Sequence, residues 1–246
     1  MLLQFLRKKS STPVLSDFSA LGTDLHSHLV PAIDDGSDSI ETSLTLIRGL
    51  VDLGYGRIIT TPHIRPDYFP NTREIITTNF EKLKSAVQDA GIEVELSVAA
   101  EYFVDYEFGQ TIEAGNLLTL SGNFVLIEIS TFSPPPNLFD NIFKMRIKGY
   151  QPVIAHPERY VYFSKIEDFH KFKDFGCLLQ VNLLSLIGHY GKPVKELAYK
   201  LLKEDLVDLL GTDMHHPKHL EILRNLTTNS QVMNLIASRQ FRNASL

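Results

Sequence analysis

Seven short apolar runs recur along this chain, and each ends on a side chain that can do chemistry. Residues 21–26 deliver His26 and then His28, 57–61 deliver His63, and 93–100 deliver Glu101. Residues 123–127 deliver Glu128, 151–155 deliver His156, 178–181 deliver Asn182, and 206–210 deliver Asp213 and His215. The segments between have helical periodicity. In residues 39–53, Ile40, Leu44, Ile47 and Val51 share one face, Ser37 is the predicted N-cap, and Gly54 and Gly56 end the helix. Further helices are predicted over 72–90, 138–148, 166–175 and 194–203, with one or two closing helices from Lys218 on. Strands alternating with helices imply a parallel sheet covered by helices. An open sheet and a closed barrel both satisfy that alternation, and the polar run-ends decide between them. Side chains from all the strands share one site only if the sheet curls around it, which is a TIM-like α/β barrel with its site at the C-terminal mouth. An additional strand over 117–120 would raise the strand count.

His26 and His28 stand two apart, so on a strand both imidazoles face one side. Asp35 follows His28 by seven residues, in a Gly/Ser turn able to fold back over them. Imidazoles with carboxylates form a ligand set for a borderline or hard divalent ion. The candidate ligands are His26, His28, Asp35, His63, Glu101, Glu128, His156, Asp213 and His215. One ion takes about four to six ligands, so this set suits two or three ions. Clustered ions activate water and neutralise phosphate oxygens. Singly, Glu128 reads equally as a salt-bridge partner at the mouth, Asp35 as a turn residue and Asn182 as a strand cap. His170, His189, His216 and His219 do not follow the run-end pattern and read as surface or core. Arg159 lies three residues after His156, past Pro157, where a guanidinium suits bidentate contact with phosphate. The alternative is an exposed ion pair with Glu158.

A chain of 246 residues matches a single α/β barrel. Residues 1–20 read as an N-terminal leader and 21–246 as one domain. The leader puts its apolar residues before Arg7-Lys8-Lys9, the reverse of a secretory signal. The one cysteine, Cys177, cannot form an internal bridge and points to a reducing, cytoplasmic compartment. A net charge of −5 argues against nucleic-acid binding, and no apolar run approaches the roughly 20 residues of a membrane span. Oligomeric state is not readable.

His26-Ser27-His28, Asp34-Asp35-Gly36, Thr61-Pro62-His63, Ala100-Glu101, Glu128, His156-Pro157-Glu158-Arg159-Tyr160 and Asp213-Met214-His215 together resemble the PHP (polymerase and histidinol phosphatase) superfamily. Within it the chain is most similar to the CpsB-like manganese-dependent protein-tyrosine phosphatases of bacteria. His-x-His is shared with many metallohydrolases, whereas the Asp-Asp-Gly-Ser turn and the His-Pro-Glu-Arg-Tyr block are far more specific. The resemblance implies a distorted (β/α)7 barrel and a trinuclear site. By motif, His26, His28, Glu101 and Asp213 would hold one ion, Glu101, Glu128 and His156 a second, and Asp35, His63 and His215 the third. Glu101 would bridge and Arg159 would grip the substrate phosphate. Mn²⁺ is the implied ion, with Fe, Zn or Mg as alternatives. The implied substrate is phosphotyrosine on the tail of a bacterial tyrosine kinase that regulates capsule or exopolysaccharide synthesis. The chain departs from that branch after His215, continuing His216-Pro217-Lys218-His219 with no arginine before Arg224. The second basic group implied at the mouth is therefore either Lys218 or absent.

Tyr68 and Phe69, in the loop 64–70, and Phe132, in the loop 131–136, are expected to rim the mouth and receive an aryl ring or else pack beneath their own loops. Competing readings are a small-molecule phosphatase such as histidinol-phosphate phosphatase, a metal-dependent nuclease, and a non-catalytic metal-binding or kinase-docking module. A cysteine-based tyrosine phosphatase is excluded, because Cys177 has no arginine close behind it.

Overall fold

The computed structural model describes residues 15–246, so residues 1–14 of the expected leader lie outside the described residues. In chain order the elements are β1 (Thr23–Asp24), α1 (Ile40–Asp52), β2 (Arg57–Thr60), β3 (His63–Ile64), α2 (Arg73–Asp89), β4 (Glu95–Val98), β5 (Glu101–Phe103), α3 (Phe108–Ala114), β6 (Phe124–Glu128), α4 (Leu138–Ile147), β7 (Gln151–Ala155), α5 (Ile166–Asp174), β8 (Leu178–Asn182), α6 (Lys192–Lys203), β9 (Leu209–Gly211), α7 (Pro217–Leu226) and α8 (Ser230–Ala237). No helix among the described residues is long and apolar enough to cross a membrane.

All pairings between named strands are parallel, in the orders β1-β2-β4 and β3-β5-β6-β7-β8-β9. β2 lies in the predicted run 57–61, and β3 continues it beyond Pro62, which has no N–H to give a ladder. β4 lies in the predicted run 93–100, and β5 continues it beyond Ala99-Ala100. Backbone bonds carry the pairing across both breaks: Ala99 N donates to Thr60 O at 2.9 Å and Glu101 N to Pro62 O at 3.1 Å. Residues 117–120 form no strand, so the nine segments reduce to seven runs. Ser39, and not Ser37, caps α1, its hydroxyl accepting from Thr42 N at 3.2 Å.

At the mouth the first and last runs meet. Ser27 and Met214 form a parallel bridge, Asp213 N donates to His26 O and His28 N to Met214 O, both at 2.8 Å. Lower down, side chains close the seam. The Asp24 carboxylate accepts from Thr212 N at 3.0 Å and Thr212 Oγ1 at 2.9 Å. Buried Asn243 donates to Thr23 O at 3.0 Å and Leu210 O at 2.6 Å, and accepts from Leu210 N at 3.0 Å. Asn243→Ala strands those backbone groups in the interior. It is expected to cost about 3 kcal/mol, or a fall in Tm of about 6–12 °C, read by thermal unfolding.

Two apolar clusters fill the molecule. One draws Leu25, Ile59, Ala99, Leu126, Val153, Leu178 and Leu209 from successive strand runs, the packing expected inside a ring. The larger one lies between strands and helices, and Phe18, from the segment expected as leader, is wholly buried in it, stacked on Tyr55 at 5.7 Å. Strand periodicity ties the inner cluster to the mouth. Leu126 and Glu128, and Ala99 and Glu101, are separated by two residues, so the face that packs the interior below presents an acid above.

Candidate metal centre

The run-ends converge. Buried Glu101 stands at the middle, with Oε2 3.2 Å from His26 Nε2, 3.3 Å from His28 Nε2 and 3.2 Å from His63 Nδ1, and Oε1 3.1 Å from His156 Nε2. Glu128 is 3.7 Å from His156 Nε2 and 3.8 Å from His63 Nδ1. Asp213 Oδ1 is 3.3 Å from His26 Nε2 and 3.5 Å from His215 Nδ1. Asp35 Oδ1 is 3.6 Å from both His63 Nε2 and His215 Nε2. Four overlapping groups result: His28, Asp35, His63 and His215; His26, His28 and Glu101; His26, His156 and Asp213; and His63, Glu101 and Glu128, each with ligand atoms within 4.8 Å of one another. Every candidate ligand is in one of them. His63 presents Nδ1 to the glutamates and Nε2 to Asp35, so it faces two of the expected ion positions.

A chain of amides sets which imidazole nitrogens are free. The Asp213 carboxylate only accepts, so the group 2.7 Å from its Oδ2 is the Asn182 amide nitrogen. Asn182 Oδ1 then accepts from Gln180 Nε2 at 2.9 Å, which turns Gln180 Oε1 toward His26 Nδ1 at 2.7 Å. His26 therefore carries its proton on Nδ1 and aims a lone pair from Nε2 at the centre. Asp34 Oδ2 does the same for His28, accepting from Nδ1 at 2.8 Å while it also takes His63 N at 3.0 Å. His215 Nδ1 donates to Asp213 O at 2.9 Å.

The two Nε2 atoms of His26 and His28 consequently face each other at 3.4 Å beside a glutamate oxygen. Nitrogen and oxygen lone pairs meeting in a buried space repel unless positive charge lies between them. The orphaned buried atoms His63 Nδ1 and Glu128 Oε2 lie in the same space. The donor set thus fits divalent cations. The titration behaviour makes the same demand. Burial favours neutral His26, yet Glu101 and Asp213 outweigh it and push the imidazole up to about 9. Burial and the neighbouring Glu101 push Glu128 up to about 8. Burial works against ionised Asp213 too, but His26, His215, His156 and Arg159 hold it well below the usual carboxylate range.

Backbone strain is concentrated here. His156 at φ +35° and Asp213 at φ +52° adopt left-handed conformations that L residues avoid. Close approach also dictates two glycines. A Cβ on Gly36 would lie 2.2 Å from His28 O, and one on Gly211 would lie 2.6 Å from Gln180 Nε2 and 2.9 Å from His26 Cβ.

Arg159 stands beside the cluster, Nη1 3.5 Å from Asp213 Oδ2 and its guanidinium 5.1 Å from the Tyr190 ring. The exposed pair with Glu158 does not exist. Glu158 turns inward, wholly buried, and accepts from Asn182 N at 2.8 Å and Ser185 Oγ at 2.6 Å. A cavity of about 220 Å³ opens over the cluster, walled by Asp35, Arg159, Tyr190, Asp213, His215, His216 and His219. Lys218 is exposed and is not one of its walls. Two histidines read from sequence as surface or core, His216 and His219, are. On the opposite rim Phe69 stacks on His63 at 5.4 Å and 10°. Tyr68 is 67% exposed with the Arg65 guanidinium over its ring, and Phe132 is 92% exposed, so neither packs beneath its own loop. Cys177 is buried and its thiol is pushed up to about 12 by burial, the reverse of a nucleophile.

Gln180, Asp34, Tyr190, His216 and His219 are the site residues that sequence reasoning passed over. Gln180 carried a signal, since it precedes Asn182 by two positions and shares its face.

A parallel α/β barrel whose mouth gathers imidazoles and carboxylates in overlapping groups is a metal-binding barrel protein. The chain belongs to the capsular polysaccharide synthesis CpsB/CapC family, whose model matches residues 22–225. It is 28% identical over 198 residues to the tyrosine-protein phosphatase YwqE of Bacillus subtilis, covering 79% of this chain and 78% of that one. It is 28% identical over 200 residues to the tyrosine-protein phosphatase CpsB of Streptococcus pneumoniae, covering 78% and 82%. Crystal structures of YwqE and CpsB describe them as metal-dependent tyrosine phosphatases. A chain from that work matches with a TM-score of 0.77 at 25% identity over 85% of each chain.

Proposed function

We propose that this chain is a metal-dependent protein-tyrosine phosphatase, acting on the phosphorylated tail of a bacterial tyrosine kinase in capsule or exopolysaccharide regulation, in the cytoplasm. The observation that carries the reading is the juxtaposition of the Glu101-centred cluster with Arg159 at one open cavity. The names of the relatives support the phosphotyrosine assignment, and the family description supports the capsule role.

In this reading His26, His28, Glu101 and Asp213 hold one Mn²⁺, Glu101, Glu128 and His156 a second, and Asp35, His63 and His215 a third. Bound divalent ions neutralise phosphate oxygens and lower the pKa of water. The chain does the rest. Glu101 supplies the charge that keeps cations adjacent. Asp34 and Gln180 hold the His28 and His26 rings in their ligating tautomers. Arg159 offers two N–H groups to the phosphate oxygens that gather charge in the transition state. Phe69, braced on His63, lines the approach for an aryl ring in this reading, with exposed Tyr68 and Phe132 proposed to join it. A phenolate with a pKa of about 10 leaves more readily than an alkoxide, so no side chain is assigned as general acid.

The rim aromatics favour this reading over a small-molecule phosphatase. The deciding experiment compares kcat/KM for a phosphotyrosine peptide and for histidinol phosphate on Mn²⁺-loaded protein. Preference for the peptide by at least about tenfold is expected, one ring-stacking contact of about 1.4 kcal/mol being enough. Preference for histidinol phosphate overturns the assignment, and hydrolysis of neither leaves the non-catalytic module standing.

A further inference from the structure

The cavity beside Arg159 contains a second polar side chain with nothing to hold. His219 is 8% exposed, and its buried Nδ1 has no hydrogen-bond partner among the described residues. Its Nδ1 is sealed in the interior. A proton on that atom would be an orphaned buried donor, so the favoured tautomer carries it on Nε2. The ring lines the cavity, so the edge it can offer there is the Nε2–H edge. Three other imidazoles fix it, one of them the proposed ligand His215, edge-on at 5.7 Å. His216 lies against it at 3.9 Å between ring centres, and His189 meets it edge-on at 5.1 Å.

The backbone around His219 points to an anion. It lies in the first turn of α7, a ten-residue helix that Pro217 opens and no side chain caps. Pro217 has no N–H, and the His219 and Leu220 amides donate to His216 O, so this end offers the Lys218 N–H and the helix dipole, which favours negative charge. Arg159 and Tyr190 line the same cavity, the Tyr190 hydroxyl donating to Asp213 Oδ2 at 3.4 Å. Asp35 and Asp213 also line it, but both belong to the proposed ligand set, whose charge bound cations offset. The space is thus one where an anion would meet the proposed ligands Asp35, Asp213 and His215 together with the Arg159 and His219 donors.

We propose that His219 is a second phosphate-binding residue, donating from Nε2 to a phosphoryl oxygen beside the metal cluster, in concert with Arg159. This rests on the phosphomonoesterase reading above. His219 in this role supplies a contact that Lys218, turned to solvent on the same helix, does not.

The test uses inorganic phosphate as probe, with Mn²⁺-loaded full-length chains, by isothermal titration calorimetry and elemental analysis. His219→Leu keeps bulk without a donor, and His219→Gln places an amide N–H where Nε2–H was. Loss of one hydrogen bond to an anion is expected to weaken phosphate about tenfold in His219→Leu. Metal content should stay unchanged and His219→Gln should recover most of the affinity. On a phosphotyrosine peptide the same order should appear in KM, and phosphate and peptide should respond together. Phosphate affinity within about twofold of wild type in His219→Leu, failure of His219→Gln to recover it, or a loss explained by lost metal overturns the proposal. Absence of phosphate binding to the wild type overturns it as well. Should His219→Leu fail to fold, the Gln variant decides alone, and affinity more than about tenfold below wild type in it counts against the donor role. The wild type's hydrolysis of the peptide is read separately, so the phosphatase assignment can fail or stand independently of His219.

Discussion

Glu101→Gln is expected to lower phosphotyrosine hydrolysis by at least about 10²-fold, the scale of losing one preorganised electrostatic group, and to reduce bound metal. Both Glu101 oxygens are in use: one faces His26, His28 and His63, the other His156. In the proposed reading a carboxylate so placed would serve two cations at once. The amide keeps the shape but has no charge, and it turns an N–H₂ toward imidazole lone pairs that Gln180 and Asp34 have fixed. The fold should persist, since the barrel interior is packed by apolar side chains below the mouth. Elemental analysis, far-UV circular dichroism and kcat on one preparation check this. Retention of more than about a tenth of wild-type activity would mean that no bridged pair of cations stabilises the transition state.

Arg159→Ala is expected to cost about 10²–10³-fold in rate while leaving metal content unchanged. The guanidinium is partly exposed, near Asp213 and over Tyr190, and is positioned to reach a phosphate in the cavity. Arg159→Lys should recover only part of the loss, because an ammonium brings charge without the two-pronged geometry. The alternative of a surface pair worth less than about 1 kcal/mol predicted near-normal kinetics, and the inward turn of Glu158 removes its partner. Metal analysis is part of this test because Arg159 also touches a proposed ligand. Near-wild-type kcat and KM, or a loss that follows lost metal, would remove Arg159 from the phosphate grip.

The barrel and the ligand cluster were legible because both obey one rule. A strand alternates faces, so the residue that packs below and the ligand above, such as Leu126 and Glu128, are written in the same parity. His26 and His28, odd steps from inward Leu25, and His156, at a left-handed turn, depart from that parity, yet their positions after apolar runs still marked them. What escaped depends on contacts between distant segments. Asn243 fills the seam of the ring from 33 residues beyond Leu210, and no periodicity announces it. The choice of Asp34 over Asp35 as the His28 partner turns on how the Asp-Asp-Gly turn folds. Lys218 was considered at the mouth and His219 was not, because charge alone drew attention. The better signal was the stripe His219, Leu223 and Leu226, all buried, which turns His219 inward and leaves its neighbour in solvent.

That divalent cations at the Glu101 cluster are what make this chain a phosphatase is tested most directly by a metal titration of hydrolysis. Protein is stripped with a chelator, dialysed, and assayed on a phosphotyrosine peptide as Mn²⁺ is returned. The expected result is loss of activity on stripping and recovery that saturates only beyond one bound ion per chain, as the proposed use of the overlapping ligand groups predicts. Undiminished hydrolysis by metal-free protein, or full loading with Mn²⁺ and no hydrolysis, would contradict it.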